Sequence, residues 1–223
     1  MNKALALAGA GALLLLLVSS AGDQEAPVYP PAPRRPDPRS PAGVAERELV
    51  RWQGLTEHDP AAAPILAQYW TSVGQNVSDP DVPWSAAFIS YTVKSSETPD
   101  ALTPSGAHIY YARQAYLDRG VPGRYGAYRP EEVAVEPGDI VVRRRAGDSF
   151  SFSDLQQSGA GMIKTHGDIV TEVGPTTAQA IGGNMGGIGV STVKERSIPH
   201  NGGVVTDPAV VAVLRYQRPG SIV

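Results

Sequence analysis

Asp81-Val82-Pro83-Trp84-Ser85-Ala86-Ala87-Phe88-Ile89-Ser90-Tyr91 carries the chain from a polar loop onto the start of a buried helix. Pro83 turns Val82 away from helical geometry, and Ala86, Ala87, Phe88, Ile89 and Tyr91 then supply an apolar helical face. Ser85 stands at the junction. As an N-cap, its oxygen would accept a hydrogen from a first-turn amide. As a nucleophile, it would sit where unpaired amide hydrogens and the helix dipole favour developing negative charge. The local sequence admits both readings.

On the N-terminal side, Ala45 to Gln53 places Leu49, Val50 and Trp52 on a helix that Gly54 ends, and Ala61 to Val73 carries Ile65, Leu66, Tyr69 and Trp70 on another. On the C-terminal side, Ser95 to Pro104 reads as a loop, and a further helix runs from about Ser105 through Tyr110, Tyr111, Ala115 and Leu117 to Gly120. Beyond Gly120 the pattern becomes short runs, mostly β-branched and close to Gly or Pro: Ile140 to Val142, Ile169 to Val173, Thr177 to Ile181, Ser191 to Val193 and Val210 to Tyr216. Helices followed by strands predict an α+β fold, its N-terminal helices packed on a C-terminal antiparallel sheet. Arg145 to Thr165 is a long polar connection of the size that is usually functional or mobile.

Five blocks carry a resemblance: Trp84 to Ser90, Ser105 to Tyr111, Pro137-Gly138-Asp139-Ile140-Val141, His166-Gly167-Asp168-Ile169-Val170 and Ile181-Gly182-Gly183-Asn184. Their order and spacing, over roughly Val44 to Tyr216, resemble the bacterial family called domain of unknown function 2272. More distantly, the order of elements is similar to the CHAP and NlpC-type amidases and peptidases of bacterial cell walls. That resemblance implies a papain-like fold, with a nucleophile at the start of the Trp84 helix and a His base heading a later strand. Those enzymes use Cys where this chain has Ser85.

A serine nucleophile needs a base, because an alcohol is a far weaker acid than a thiol. Thr165-His166-Gly167-Asp168 stands immediately before the apolar Ile169-Val170 run, at the mouth of a strand, and the resemblance assigns the base to the His166 position. Papain-like enzymes orient the base with an Asn or acidic residue on the next strand, which here implies Asn184. Asp168 is its rival, two residues from His166 and on the same strand face, while Asn184 among its glycines also suits a turn. The expected catalytic set is therefore Ser85, His166 and Asn184, with Trp84, His108 and Asp168 on the substrate side. His108 would touch substrate if its helix packs beside that of Ser85, and otherwise reads as a structural histidine. Asp139 reads as a turn residue, and His58 and His200 as loop residues without a role.

Met1 to Ala21 has one charge at Lys3, an apolar run from Ala4 to Val18, and small residues before Gly22, the pattern of a secretory signal cut after Ala21. The alternative is an uncleaved anchor. Gly22 to Gly43 holds Pro30, Pro31, Pro33, Pro36, Pro38 and Pro41 among arginines and reads as an extended linker, leaving residues 44–223 as the domain. The expected location is periplasmic or extracellular, with no integral span after cleavage. The sequence has no Cys, which removes thiol nucleophiles, disulfides and Cys-based zinc sites together.

The formal net charge is −3, and Arg143-Arg144-Arg145 is the one basic cluster, so nucleic acid is not an expected partner. No G-x-x-x-x-G-K-[ST], H-E-x-x-H or G-x-S-x-G pattern occurs, and neither a cofactor nor a metal is expected. The function expected from residues and resemblance together is a serine-type amidase or peptidase acting on peptidoglycan or its peptide. The alternatives are a groove-binding module without chemistry, for which Ser in place of Cys argues, and an envelope or virion structural protein tethered by its Pro-rich arm.

Overall fold

The structure is a computed structural model that describes residues 35–157 and 163–220. The expected signal segment and most of the Pro-rich linker lie outside the described residues, as does part of the Arg145 to Thr165 connection. Four helices come first: α1 (Pro41–Arg51), α2 (Ala63–Ser72), α3 (Ser85–Lys94) and α4 (His108–Leu117). Seven strands follow: β1 (Tyr125–Tyr128), β2 (Ile140–Arg144), β3 (Thr165–Val173), β4 (Thr177–Met185), β5 (Thr192–Asn201), β6 (Val204–Val205) and β7 (Val210–Tyr216). They form one curled antiparallel sheet in the order β1-β7-β2-β3-β4-β5-β6. The protein is thus a mixed α+β fold.

α1 begins at Pro41, three residues before the expected start of the domain. Ser40 is its N-cap, accepting the Gly43 amide at 3.1 Å, and Pro41 enters at a position where its missing N–H costs nothing. β1 and β6 were not legible as strands. Tyr125-Gly126-Ala127-Tyr128 has no β-branched residue, and β6 is only the pair Val204-Val205 against His200 and Asn201. His200, expected in a loop, is buried within β5, where its Nδ1 accepts the Gly203 amide at 3.0 Å.

The sheet separates two cores. On one side Ile140, Val142, Ile169, Ile181 and Leu214 meet the helices through Trp52, Tyr69, Trp84, Phe88 and Tyr111. On the other, Val141, Val170, Ala180, Ile198 and Val213 enclose a smaller cluster with Val135 and Val205. The alternation of β3 follows from this: Gly167 and Ile169 look toward the helices, and Asp168 and Val170 look away. Under the helices an aromatic stack ties α1, α2 and α3 together. Trp52 and Trp84 lie 4.8 Å apart at 16°, and Trp52 Nε1 donates to the Tyr69 hydroxyl at 2.8 Å.

Candidate functional site

Ser85 is the first residue of α3, after Trp84 at the N-cap position, and no side chain caps this helix. The serine oxygen is engaged elsewhere, 2.7 Å from Nε2 of His108. The amides of Ser85, Ala86 and Ala87 therefore keep the unpaired donors of a helix start beside that oxygen. Trp84 is held by its indole nitrogen, which donates to Glu57 Oε2 at 3.2 Å. Glu57 is buried and spends its other oxygen on the amides of Gly189 and Ser191, at 2.7 and 3.4 Å. The loop between β4 and β5 is thereby fastened to the residue that precedes Ser85.

His108 opens α4, and Tyr111 lies three positions on, on the same helical face. The Tyr111 hydroxyl is hydrogen-bonded to Nδ1 of His108, completing a chain from Ser85 through His108 to Tyr111. All three residues are buried. Burial holds His108 well below its ordinary pKa, with His166 and Arg145 acting in the same direction. Burial raises the Tyr111 phenol well above its usual range, assisted by the charge of Asp168. At neutral pH both are uncharged. In one tautomer, Nδ1–H donates to the phenol oxygen and Nε2 accepts the Ser85 proton. Only that tautomer makes Ser85 a nucleophile.

Two glycines let this chain of groups lie against the sheet. A Cβ on Gly167 would stand 2.5 Å from the Tyr111 hydroxyl and 2.8 Å from His108 Nδ1. One on Gly183 would stand 2.6 Å from the Trp84 ring and 2.7 Å from Phe88 Cβ. Continuing the Ile169↔Ile181 register by two residues sets these glycines opposite each other on β3 and β4. The helix starts approach the sheet through a window without side chains.

His166, expected at the mouth of its strand, is the second residue of β3. Its Nε2 lies 3.0 Å from Asp168 Oδ1, while the imidazole bonded to Ser85 is that of His108. The two imidazole rings are 5.7 Å apart between centroids. Asp168 is fully buried, with Arg196 Nε 3.5 Å from its Oδ1, and its Oδ2 has no hydrogen-bond partner among the described residues. Asn184 sits where the β4–β5 register shifts, in the left-handed region at φ 58°, the turn geometry its flanking glycines suggested. Its side chain makes no hydrogen bond among the described residues. The structure thus joins Ser85 to His108, and His166 to Asp168, as two adjacent pairs.

Tyr111 entered the sequence reading only as a helix residue, without a role in the site, and Arg196 did not enter it. Only the i, i+3 spacing of His108 and Tyr111 signalled the first, and nothing local signalled the second. Among the described residues, Glu57, His58 and Asp81 bring possible metal-ligand atoms within 4.8 Å of one another. His58 Nε2 already lies 3.0 Å from Asp81 Oδ1, and that ion pair holds its pKa raised. Among the same residues, no helix is long and apolar enough to cross a membrane.

No curated protein and no solved structure matches the chain. A family model does, over residues 46–218, which takes in the second half of α1, the whole of α2, α3 and α4, the sheet and both histidine pairs. The chain therefore belongs to the family of domain of unknown function 2272, described as uncharacterized proteins conserved in bacteria.

Proposed function

We propose that the protein is an exported serine hydrolase of papain-like architecture that cleaves an amide or ester bond in bacterial cell-wall peptides. The observation that carries this reading is the 2.7 Å contact between Ser85 Oγ and His108 Nε2 at an uncapped helix start. His108 thereby replaces His166 as the proposed base. In the first step Ser85 Oγ bonds to the carbonyl carbon of the substrate while its proton passes to His108 Nε2. The carbonyl electrons move onto oxygen, where the first-turn amides of α3 stabilise them. The carbon–nitrogen or carbon–oxygen bond then breaks, and the leaving group takes the proton from Nε2. Water repeats the sequence on the acyl-enzyme, giving up its proton to His108, and Ser85 is restored. The papain-like likeness and the peptidoglycan substrate come from the order of the sequence blocks around Ser85 and His166.

One observation favours a module that binds cell-wall or protein ligands without chemistry: Ser85 is only 4 % exposed. Fragments released from purified peptidoglycan, identified by mass spectrometry, separate the two. The hydrolase reading expects release by the wild type and a loss of at least about a thousandfold in Ser85→Ala and in His108→Ala, as for removal of a nucleophile or its base. A folded wild type that binds sacculi and releases nothing would establish the binding module instead.

A further inference from the structure

We infer that Glu57, His58 and Asp81 form a binding site for a divalent metal ion that accepts both nitrogen and oxygen ligands, zinc above all, and that the bound ion ties the turn after α1 to the loop leading into Ser85. The site stands on its own residues and holds whether or not Ser85 is a nucleophile. His58 and Asp81 are 23 positions apart, so no local motif announces them. Two turns present the ligands. The Asp59 carboxylate accepts the Thr56 amide at 2.6 Å and the Thr56 hydroxyl at 3.0 Å, which fixes the turn that carries Glu57 and His58. The Asp81 amide donates to Asp79 Oδ1 at 3.0 Å, which fixes the loop that carries Asp81.

Glu57 is the residue that needs a cation. It is only 4 % exposed, and among the described residues no Lys or Arg pairs with it. Its carboxylate accepts instead from the N–H groups of Trp84, Gly189 and Ser191, at 3.2, 2.7 and 3.4 Å, and its own amide donates to the Ser191 carbonyl at 2.8 Å. These bonds orient the carboxylate and bring no full positive charge to it, as the outer partners of a metal ligand do. A carboxylate withdrawn from water is strongly destabilised unless it is paired or coordinates a metal.

The other two ligands stand beside it. One oxygen of Glu57, one ring nitrogen of His58 and one oxygen of Asp81 all lie within 4.8 Å of one another. His58 Nε2 and Asp81 Oδ1 are 3.0 Å apart, which suits neighbouring ligand atoms that each stand about 2.1 Å from one ion. The ion would take the place of the proton between them. Among the described residues, no Lys or Arg pairs with Asp81 or Asp79 to compete with it. The His58 and Asp81 side chains are 47 % and 49 % exposed, which gives the ion a way in and leaves its remaining positions to water. One imidazole with two carboxylates suits zinc or manganese, whereas calcium takes oxygen ligands. Asp81 shares its loop with Trp84, whose indole already donates to Glu57, so an ion on Glu57 and Asp81 closes a ring around the approach to Ser85.

The test is calorimetric titration of zinc chloride alone into the intact protein, stripped of metal and carrying no histidine tag, beside His58→Ala, Asp81→Asn and Glu57→Gln. The wild type should bind one zinc ion with a Kd in the micromolar range or below, manganese more weakly, and calcium not measurably. Each substitution should weaken zinc by at least about tenfold, the lower end of what loss of even an outer partner costs. Zinc at about a hundred times its Kd should raise the thermal midpoint of the wild type by at least about 5 °C. It should also slow amide exchange across residues 79–84, and neither effect should appear in His58→Ala or Asp81→Asn. Both of those side chains are exposed, so their variants decide the outcome even if Glu57→Gln fails to fold. A folded wild type that binds no zinc overturns the proposal. Zinc binding that His58→Ala and Asp81→Asn leave unchanged overturns it too, as an adventitious ion held elsewhere. Calcium bound as tightly as zinc overturns the choice of ion, and zinc bound without slower exchange across residues 79–84 overturns its tie to the Ser85 loop. Peptide release enters none of these readouts, so failure of the hydrolase reading would leave them standing.

Discussion

At the scale of single residues, the decisive fact is which imidazole meets Ser85. Sequence placed Ser85 at the start of α3, where the structure has it, because Pro83, Trp84 and the apolar run after it define a helix start locally. It named His166 as the base and put His108 on the substrate side, since which imidazole meets Ser85 depends on how α4 packs against β3 and neither local stretch encodes that. Tyr111 is the test of that packing. In Tyr111→Phe the Nδ1 proton of His108 loses its acceptor and the competent tautomer loses its preference, so kcat should fall by about ten- to a hundredfold with little change in KM, milder than loss of the base itself. Steady-state kinetics on a released peptide would read this; an unchanged kcat would remove Tyr111 from the site. The pH dependence has a definite sign. Because His108 has its pKa lowered in the folded protein, the acid limb of kcat/KM should lie below the ordinary histidine value of about 6.5. A limb above that value would mean that another group is the base.

At the scale of elements, β3 and β4 reach α3 and α4 only because two of their residues lack side chains. The sequence shows glycines at 167 and 183, and in a strand pattern an isolated glycine signals a bulge or a close backbone approach without saying which partner approaches. Gly167→Ala and Gly183→Ala should each destabilise the protein by about 1–3 kcal/mol, the usual cost of forcing extra volume into a packed core. Denaturant unfolding would measure it, and a change below about 0.5 kcal/mol would show that the helices yield easily. Asp139, read from sequence as a turn residue, does support one, accepting the Glu136 amide at 2.9 Å. It also spans to β7, where Arg215 Nε donates to it at 3.1 Å. Burial nevertheless dominates and raises its pKa to about 6. A carboxyl raised on folding binds more protons in the native state than in the unfolded one between its ordinary value and the raised one. Stability from this group should therefore fall as pH rises through that window, by up to about 3 kcal/mol, and stay level above it. Asp139→Asn should flatten the dependence between about pH 4 and 6, as read by denaturant unfolding at several pH values.

Across the whole molecule, the order of helices then strands was legible because each apolar run is long or β-branched enough to declare its type. What escaped were the pieces whose identity comes from their partners. β1 is a strand because β7 is beside it, and Gly126 within it lies under the Gln217 side chain. The start of α1 escaped for the same reason. Proline density argued for a linker as far as Gly43, yet Pro41 to Ala45 are all buried. Gly43 is pressed so closely on the backbone of Asp37 and Pro38 that an added Cβ would collide with both. Ser40 in turn donates to the Asp37 carbonyl at 2.7 Å while capping α1. This packing predicts a folding unit that includes Asp37, and two truncations test where it begins. A chain starting at Arg35 should keep the thermal midpoint of a chain starting at Gly22 within about 2 °C, because it retains the Asp37 turn, the cap and every buried residue of α1. A chain starting at Val44 loses the cap, worth about 1 kcal/mol, and the buried Pro41 to Gly43 with it. Its midpoint should drop by at least about 5 °C, and equal midpoints for the two chains would return the boundary to Val44.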